Sequence, residues 1–169
     1  MGNPGARQQI SGERSGSLQV TRSGAQWLAA ALRASLAVGA VLNAANFTPE
    51  YAPGSLVAIT GAGLSRGSQG TEVEVSGVAA AVIGASPFQV KIQLPLDLLA
   101  GAHQLVVRSP FGTAEQQIQI LETAPAIFVS AAGRGVVANQ DGSLNTAGNP
   151  ARRGQTIVIY ATGLGVVMR

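Results

Sequence analysis

An all-β fold of antiparallel strands is predicted by three features of this 169-residue sequence. From Val41 onward, apolar and polar residues alternate with a period of two, the pattern of strands that bury one face. The apolar runs are separated by Gly, Pro and Ser, which favour turns. Charged residues make up only 11% of the chain, against about a quarter in an average soluble domain. About seven short strands at this spacing predict a β-sandwich of immunoglobulin type.

Four of these strands are defined by their inward-facing residues. In each, aliphatic side chains alternate with Glu, Gln, Lys or Arg, and turn residues such as Ser76-Gly77 and Ser86-Pro87 lie between the runs. The sequence contains no cysteine, which excludes disulfides, thiolate metal sites and cysteine nucleophiles and leaves an aliphatic core. The predicted inward residues are Val73 and Val75, then Val90, Ile92 and Leu94, then Leu105 and Val107, then Ile118 and Ile120.

Residues 1–37 are predicted to be a disordered tail followed by a short helix. The helix is expected over Ala25–Ala40, with strong helix formers and Ser23 as N-cap. One interpretation is a secretory signal, with Trp27–Leu36 as its apolar stretch and Val38-Gly39-Ala40 as its cleavage site. Arg33 within the apolar stretch favours the alternative, an amphipathic helix or linker. No apolar run reaches the roughly 18 residues of a membrane span, so no transmembrane segment is expected.

The basic pI of about 10.2 does not indicate nucleic-acid binding. Residues 1–40 contain four arginines and one glutamate, whereas the rest of the chain balances seven basic against seven acidic residues. A DNA-binding domain concentrates its basic residues on one face. The predicted sandwich is therefore neutral, and Arg152-Arg153 is interpreted as a solvated turn.

A strand motif occurs twice in the chain. "PGSLVAITGAGL" at residues 53–64 is matched by "RGQTIVIYATGL" at residues 153–164, with Ile59 aligned to Ile159 and Gly63 to Gly163. Two tandem repeats are implied, with a sandwich over residues 38–124 and an incomplete second repeat over residues 125–169. We expect the second repeat to be a partly packed extension of a chain whose reading frame is truncated or whose second domain is completed elsewhere. Its strand Gln155–Tyr160 should present an open edge available for pairing.

Two single residues have the chemistry for catalysis. His103 is the only histidine, so a Ser-His-Asp triad would depend on it alone, and an exposed turn histidine at the start of a strand is the favoured interpretation. Asp97 in "LPLDLLAG" is a carboxylate in an apolar setting without a second carboxylate nearby. We interpret Asp97 as the cap of the turn into "LLAG". No catalytic residues are assigned, and the chain is not expected to be an enzyme.

Two glycine-rich segments resemble ligand loops. "NQDGSLNTAGN", Asn139–Asn149, has calcium-ligand side chains but only one carboxylate, Asp141, so an Asx-turn hairpin with its tip at Asp141-Gly142 is favoured over a calcium site. "GAGLSRGSQG", Gly61–Gly70, lies between two strands and lacks Gly-Lys-Ser/Thr, so the phosphate-loop interpretation fails. No metal or cofactor is predicted.

Aromatic residues make up only 4% of the chain and do not cluster in sequence. Phe47, Phe88 and Phe128 lie in or beside predicted strands and are expected in the core rather than on a carbohydrate platform. Phe111, in the turn Pro110-Phe111-Gly112, is the aromatic expected near solvent and is a weak candidate contact residue.

The motifs "VLNAANFTPEYAPGSLVAITGAGLS", "VEVSGVAAAVIGASPFQVKIQLP" and "GAHQLVVRSPFG" resemble the IPT/TIG branch of immunoglobulin-like domains. Together with "TAPAIFV" and "GRGVVANQDGSLNTAGNPARRGQTIVIYATGLG", they are similar to an uncharacterised domain family. That family occurs near the C-termini of large secreted acidobacterial proteins. The resemblance covers about residues 38–169 and implies no catalytic residues, because none are established for the family.

These features predict a non-catalytic structural or interaction module of an exported bacterial multidomain protein, acting as a spacer or in adhesion at the cell surface or outside the cell. Its expected partners are neighbouring immunoglobulin-like domains of the parent chain, or an extracellular protein or polysaccharide. The alternative is an accessory domain of an extracellular hydrolase whose catalytic domain lies outside this chain. DNA binding, known among IPT/TIG relatives, is disfavoured by the neutral charge.

Overall fold

A computed structural model describes residues 35–66 and 70–165, all of which belong to one unit of the chain. The described residues form strands and no helix, so none of their elements could cross a bilayer as a helix. The strands are β1 Ala37–Asn43, β2 Leu56–Ala62, β3 Glu72–Val75, β4 Val78–Ala79, β5 Ala81–Ala85, β6 Gln89–Gln93, β7 Gly101–Ser109, β8 Gly112–Ile120, β9 Ala126–Ile127, β10 Val137–Ala138, β11 Val158–Ile159 and β12 Ala161–Thr162.

Two four-stranded sheets contain β1 to β8, and every pair within them is antiparallel. The first has the order β1-β2-β6-β5 and the second the order β4-β3-β7-β8. The longest ladder joins β7 to β8 from Gly101↔Ile120 to Ser109↔Gly112. The prediction of an all-β antiparallel fold is therefore confirmed.

The two sheets share one hydrophobic core. Val57 and Ile59 of β2 lie in the same buried cluster as side chains of β3, β7 and β8 from the other sheet. Burying an aliphatic side chain of this size contributes about 1.5–3 kcal/mol. All the inward residues predicted from the alternation are 4% exposed or less: Val73, Val75, Val90, Ile92, Leu94, Leu105, Val107, Ile118 and Ile120.

The predicted helix over Ala25–Ala40 is wrong at its C-terminal end. Residues 25–34 lie outside the described residues, but Ala37–Ala40 form the first half of β1. Pairing with β2, from Ala37↔Ala62 to Asn43↔Val57, gives these residues a ladder of backbone hydrogen bonds. Tertiary pairing of this kind outweighs the helix propensity of alanine. The proposed cleavage site Val38-Gly39-Ala40 also lies within this paired strand.

Residues 125–165 form short strands in two two-stranded sheets. β10 pairs with β11 and β12 pairs with β9. The expected strand Gln155–Tyr160 is wrong in its extent, because Gln155–Ile157 are not in a strand and β11 contains only Val158–Ile159. Pairing changes from β10 to β9 at Tyr160, so the segment is divided between two sheets instead of forming one ladder.

Two backbone groups attach this C-terminal segment to the larger body. The Leu56 N–H donates to Thr162 Oγ1 at 2.8 Å, and the Ala124 N–H donates to the Gly163 carbonyl at 2.8 Å. Gly163 has a φ of 79°, and a Cβ at this position would collide with the Ala124 carbonyl oxygen. Only glycine combines this backbone conformation with so close an approach.

Candidate functional surfaces

His103 lies in β7 and is half-buried. Its Nε2 is 2.9 Å from the Leu99 carbonyl oxygen, and its Nδ1 is 2.9 Å from Ser76 Oγ. Because a carbonyl can only accept, Nε2 donates to Leu99, and in the neutral imidazole Nδ1 is then the acceptor of the Ser76 hydroxyl. The expected turn histidine is therefore a strand residue with both ring nitrogens hydrogen-bonded.

No local sequence pattern indicates the Ser76–His103 pair, since the two residues are 27 positions apart. A serine hydrogen-bonded to an imidazole is also the unit of nucleophilic catalysis. Here Ser76 and Gly77 form the two-residue hairpin between β3 and β4, with φ values of 50° and 81°. Such a turn requires positive φ at both positions, so hairpin geometry accounts for the conformation of Ser76. We interpret the pair as a clip that holds this hairpin against β7.

Asp97 does not cap the turn that follows it. It is exposed in the turn after β6, and its carboxylate accepts no hydrogen bond from the part of the chain that the structure describes. The predicted cap is therefore wrong. An exposed carboxylate is satisfied by water and needs no partner within the protein.

The loop Asn139–Asn149 forms the predicted Asx-turn hairpin. Asp141 Oδ1 accepts from the Ser143 N–H at 3.0 Å and from the Ser143 hydroxyl at 2.6 Å. Gly142, with a φ of 82°, donates its N–H to the Asn139 carbonyl at 2.9 Å, and an isolated bridge pairs Ala138 with Leu144. The hydroxyl of Ser143, followed by its N–H, lowers the pKa of the Asp141 carboxyl below its usual value.

Asn139 organises the base of the same loop. Its side chain is buried, donates to the Asn149 carbonyl at 3.1 Å and to Ser143 Oγ at 3.2 Å, and accepts from Asn145 Nδ2 at 2.8 Å. Two of the oxygen atoms that could have served a cation, Asp141 Oδ1 and Asn139 Oδ1, are thus hydrogen-bonded within the loop. Among residues 35–66 and 70–165, no three His, Cys, Asp or Glu side chains lie close enough to hold a metal ion.

An ion pair on the second sheet joins two charged residues of the strand surface. Arg108 Nη1 lies 2.8 Å from Glu74 Oε1, on neighbouring strands β7 and β3. The hydrogen bond to Glu74, together with its charge, raises the pKa of the Arg108 guanidinium. Both side chains are partly exposed, so the pair belongs to the solvated face of the sheet.

The predicted core positions of Phe47 and Phe88 are wrong, while Phe128 is half-buried. Phe47 is 60% exposed and Phe88 is 69% exposed, whereas Phe111 is half-buried. Phe47 ends the turn after β1 with a φ of 59°, and the backbone carbonyl of Phe88 accepts from Gly61. In both residues the backbone makes the structural contact, which leaves the ring at the surface.

The C-terminal segment carries an exposed apolar surface. Ile157, Val158, Ile159 and Tyr160 are between 44% and 51% exposed, and Leu164 is 63% exposed. Beside this segment lies a groove of about 280 Å³, lined by Pro53, Gln93, Leu96, Ala161 and Leu164 among others. We call the side of the segment Gln155–Ala161 that faces away from β10 the open edge; the segment includes β11 and the first residue of β12.

No protein-family model matches the sequence, and no curated protein matches it significantly. Among solved structures, the chain is similar to a "Putative phosphatase" from Bacteroides thetaiotaomicron. The TM-score is 0.40 and the identity 15%, over 63% of this chain and 20% of that chain. The chain thus spans a fifth of that protein, and a likeness of this degree assigns neither fold family nor activity.

Proposed function

We propose that the protein is a non-catalytic, immunoglobulin-like module of the IPT/TIG type, which works by contact with other macromolecules as a spacer or adhesion domain of an exported multidomain protein. The observation that carries this proposal is the contrast between its polar and apolar groups. The polar side chains of His103 and Asn139, which have catalytic or ligand chemistry, are hydrogen-bonded to other groups of the chain. The side chains of Ile157–Tyr160, by contrast, form an exposed and largely apolar surface.

The strand order supports the immunoglobulin-like part of this proposal. If β1 to β8 are lettered A, B, C, C′, D, E, F and G, the two sheets have the orders A-B-E-D and C′-C-F-G. These are the two sheets of immunoglobulin-type sandwiches that include both C′ and D strands. The aliphatic core and the low charge of the surface are those expected of such a module outside the cell.

The proposal is tested by combining a binding assay with an activity assay on the full chain. Labelled protein is incubated with insoluble polysaccharides, peptidoglycan and immobilised extracellular-matrix proteins, and the retained fraction is measured. We expect retention on at least one surface and no hydrolysis of p-nitrophenyl acetate or p-nitrophenyl phosphate above the buffer rate.

The control for hydrolysis is a pair of variants, Ser76→Ala and His103→Ala, each of which removes one partner of the Ser76–His103 hydrogen bond. Hydrolysis that is present in the wild type and lost in both Ser76→Ala and His103→Ala would overturn the non-catalytic assignment and make the Ser76–His103 pair a nucleophilic site. The variants should fold, because both side chains lie at the protein surface.

A further inference from the structure

β11 stands in the same pairing relation to β10 as β2 does to β1. In the β1–β2 ladder Val41 lies opposite Ile59, and in the β10–β11 ladder Val137 lies opposite Ile159. The two ladders also have the same direction and involve the matched strand motif described above. One edge of β11 is therefore paired in the way that one edge of β2 is paired.

The other edge of β2 is covered by β6. Val57 lies opposite Ile92, and Ile59 lies opposite Val90. The flanking bonds, Gly61 N–H to the Phe88 carbonyl at 3.0 Å and Leu94 N–H to the Ser55 carbonyl at 2.9 Å, show that these are the hydrogen-bonded pairs of the ladder. Val57 and Ile59 are thus paired on this edge, and their side chains are fully buried in the core between the sheets.

The corresponding edge of β11 is uncovered among the described residues. Tyr160 donates its N–H to the Val136 carbonyl and accepts from the Phe128 N–H, so its peptide groups face β10 and β9. Because peptide groups alternate along a strand, those of Ile157 and Ile159 face the open edge. No strand of the described residues pairs there, and the two isoleucines are 44% and 51% exposed.

Charge indicates what an occupant should contain. Residues 155–165 carry no charged side chain, whereas Arg152 and Arg153 lie at one end of the open edge and form no ion pair within the described ranges. Beyond the β2–β6 ladder, the Gly54 N–H donates to the Pro95 carbonyl at 3.2 Å, so the chain after β6 stays beside the turn that precedes β2. In the repeated motif Gly154 corresponds to Gly54, and Arg152 precedes Gly154 by two residues as Asp97 follows Pro95 by two. An acidic residue at this end of an added segment would therefore lie at the same end of the open edge as Arg152.

We infer that the open edge, Gln155–Ala161, is a docking site for one extended segment with the chemistry of β6. The segment adds antiparallel to β11, has β-branched residues that alternate with polar ones, and ends with an acidic residue facing Arg152. Backbone hydrogen bonds supply the affinity and the alternating side chains the specificity, as in other cases of strand addition. The inference deepens the proposed function by naming the contact surface.

The probe is a fluorescein-labelled synthetic peptide of residues 86–97, SPFQVKIQLPLD, titrated with the full chain and followed by fluorescence anisotropy. Saturable binding is expected.

Methylation of the peptide nitrogens of Val90 and Ile92, which face the docking strand in the β6 register, should weaken binding at least tenfold. The matched control peptide, methylated at Lys91 and Gln93, should bind within about twofold of the unmodified peptide, because those nitrogens face away. Asp97→Asn in the peptide should weaken binding two- to fivefold at low salt and less at high salt.

Hydrogen exchange on the full chain locates the bound peptide without any substitution in the protein. Slower exchange at residues 155–161 supports the proposal, whereas slowing confined to β5 or β8 overturns it. Absence of binding, or equal binding of both methylated peptides, also overturns it. If sedimentation instead shows a dimer that Ile159→Lys dissociates, the occupant is a second copy of this chain and the proposed partner is wrong. None of these results depends on retention by polysaccharide or on hydrolysis, so failure here leaves the test of the proposed function intact.

Discussion

At the scale of single residues, two buried asparagines close the turns that follow β1 and β10. Asn43 donates from Nδ2 to the Glu50 carbonyl at 3.0 Å and accepts at Oδ1 from the Ala45 N–H at 2.9 Å. Asn139 is bound in the same manner within its own loop. In each turn a residue of positive φ, Phe47 or Gly142, donates its N–H to the asparagine carbonyl. Removing a buried amide side chain of this kind is costly, because its hydrogen-bond partners are then buried with neither the amide nor water to bind.

Replacement of Asn43 by alanine should lower the free energy of unfolding by about 1–3 kcal/mol, because it leaves the buried Ala45 N–H without a partner and removes the hydrogen bond to the Glu50 carbonyl. The control is Asn46→Ala, three residues away, which also removes turn hydrogen bonds but at an exposed position. Its effect should be within about 0.5 kcal/mol. Urea unfolding measures both, and equal effects would contradict the importance of burial.

Tyr51 should make the protein less stable at high pH. The residue is 3% exposed, and burial raises the pKa of its phenol above the usual value. Because the folded-state pKa is the higher one, this contribution to stability is complete below about pH 10 and is lost as pH rises through the folded pKa. Tyr51→Phe should flatten the decline in unfolding free energy above about pH 10, measured by urea unfolding at several pH values.

The control for Tyr51 is Tyr160→Phe, which changes a tyrosine that is 51% exposed. This variant should keep the alkaline profile of the wild type. A profile that is equally steep in wild type and Tyr51→Phe would show that other groups cause the alkaline loss.

At the scale of strands, the same sequence motif has two environments. β2 is paired on both edges and its Ile59 is fully buried, whereas β11 is paired on one edge and its Ile159 is 51% exposed. The difference does not come from the strand's own residues, since both are isoleucine. It comes from the surroundings: Ile59 lies in the core shared with β3, β7 and β8 and its strand is also paired with β6, whereas Ile159 lies outside that core and no described strand pairs with the second edge of β11.

Alanine substitutions should therefore have unequal effects at the two positions. Ile59→Ala should lower the free energy of unfolding by about 2–5 kcal/mol, the usual cost of truncating a buried isoleucine. Ile159→Ala should cost less than about 1 kcal/mol, because half of its surface already contacts water. Equal losses in urea unfolding would mean that Ile159 is covered in solution.

At the scale of the whole molecule, attachment of residues 125–165 to the two-sheet body depends on few contacts. Thr162 and Gly163 provide hydrogen bonds to Leu56 and Ala124, and Gly163 packs against backbone where no side chain fits. The segment lies outside the shared hydrophobic core, whose members all precede residue 121. A single substitution at Gly163 should therefore loosen the segment without unfolding the body.

Gly163→Ala should release the segment, because alanine pays about 1–2 kcal/mol for the positive φ and its Cβ collides with the Ala124 carbonyl. Limited proteolysis with mass spectrometry should then show fast cleavage within residues 125–165 and a resistant core of about residues 38–124. Gly148→Ala is the control, since its Cβ meets nothing within 4 Å and its φ is not positive. Cleavage that is identical in both variants would contradict the attachment through Gly163.

Properties that depend on neighbours in sequence were predictable. The alternation that placed Val73, Val75 and Ile92 in the core is a geometric consequence of the strand, so it holds whichever strand pairs with it. The Asx turn at Asp141-Gly142 was predictable for the same reason, because its hydrogen bonds join residues two positions apart. These local rules predicted the inward-facing residues of β3, β6, β7 and β8 and the conformation of the turn at Asp141-Gly142.

Properties that depend on distant partners were not predictable. Ala37–Ala40 read as helix until β2 supplied a strand partner. The Ser76–His103 pair forms only when the hairpin after β3 lies beside β7. Phe88 was predicted in the core because the sequence does not show that only its backbone carbonyl, which accepts from the Gly61 N–H, contacts the neighbouring strand. Exposure is a property of the finished packing, and each of these errors is an error of exposure or pairing.

By itself, the sequence determined that this chain forms antiparallel strands and which side chains of β3, β6, β7 and β8 face inward. It also determined where the Asp141-Gly142 turn lies. Both follow because strand alternation and turn conformation depend on residues only a few positions apart. Only the tertiary structure decided that Ala37–Ala40, predicted to end a helix, belong to strand β1. It also decided that β2 is paired on both edges, whereas β11 is paired on one. The reason is that a strand's hydrogen bonds are made to another strand. Which edges are satisfied is therefore settled when the sheets assemble.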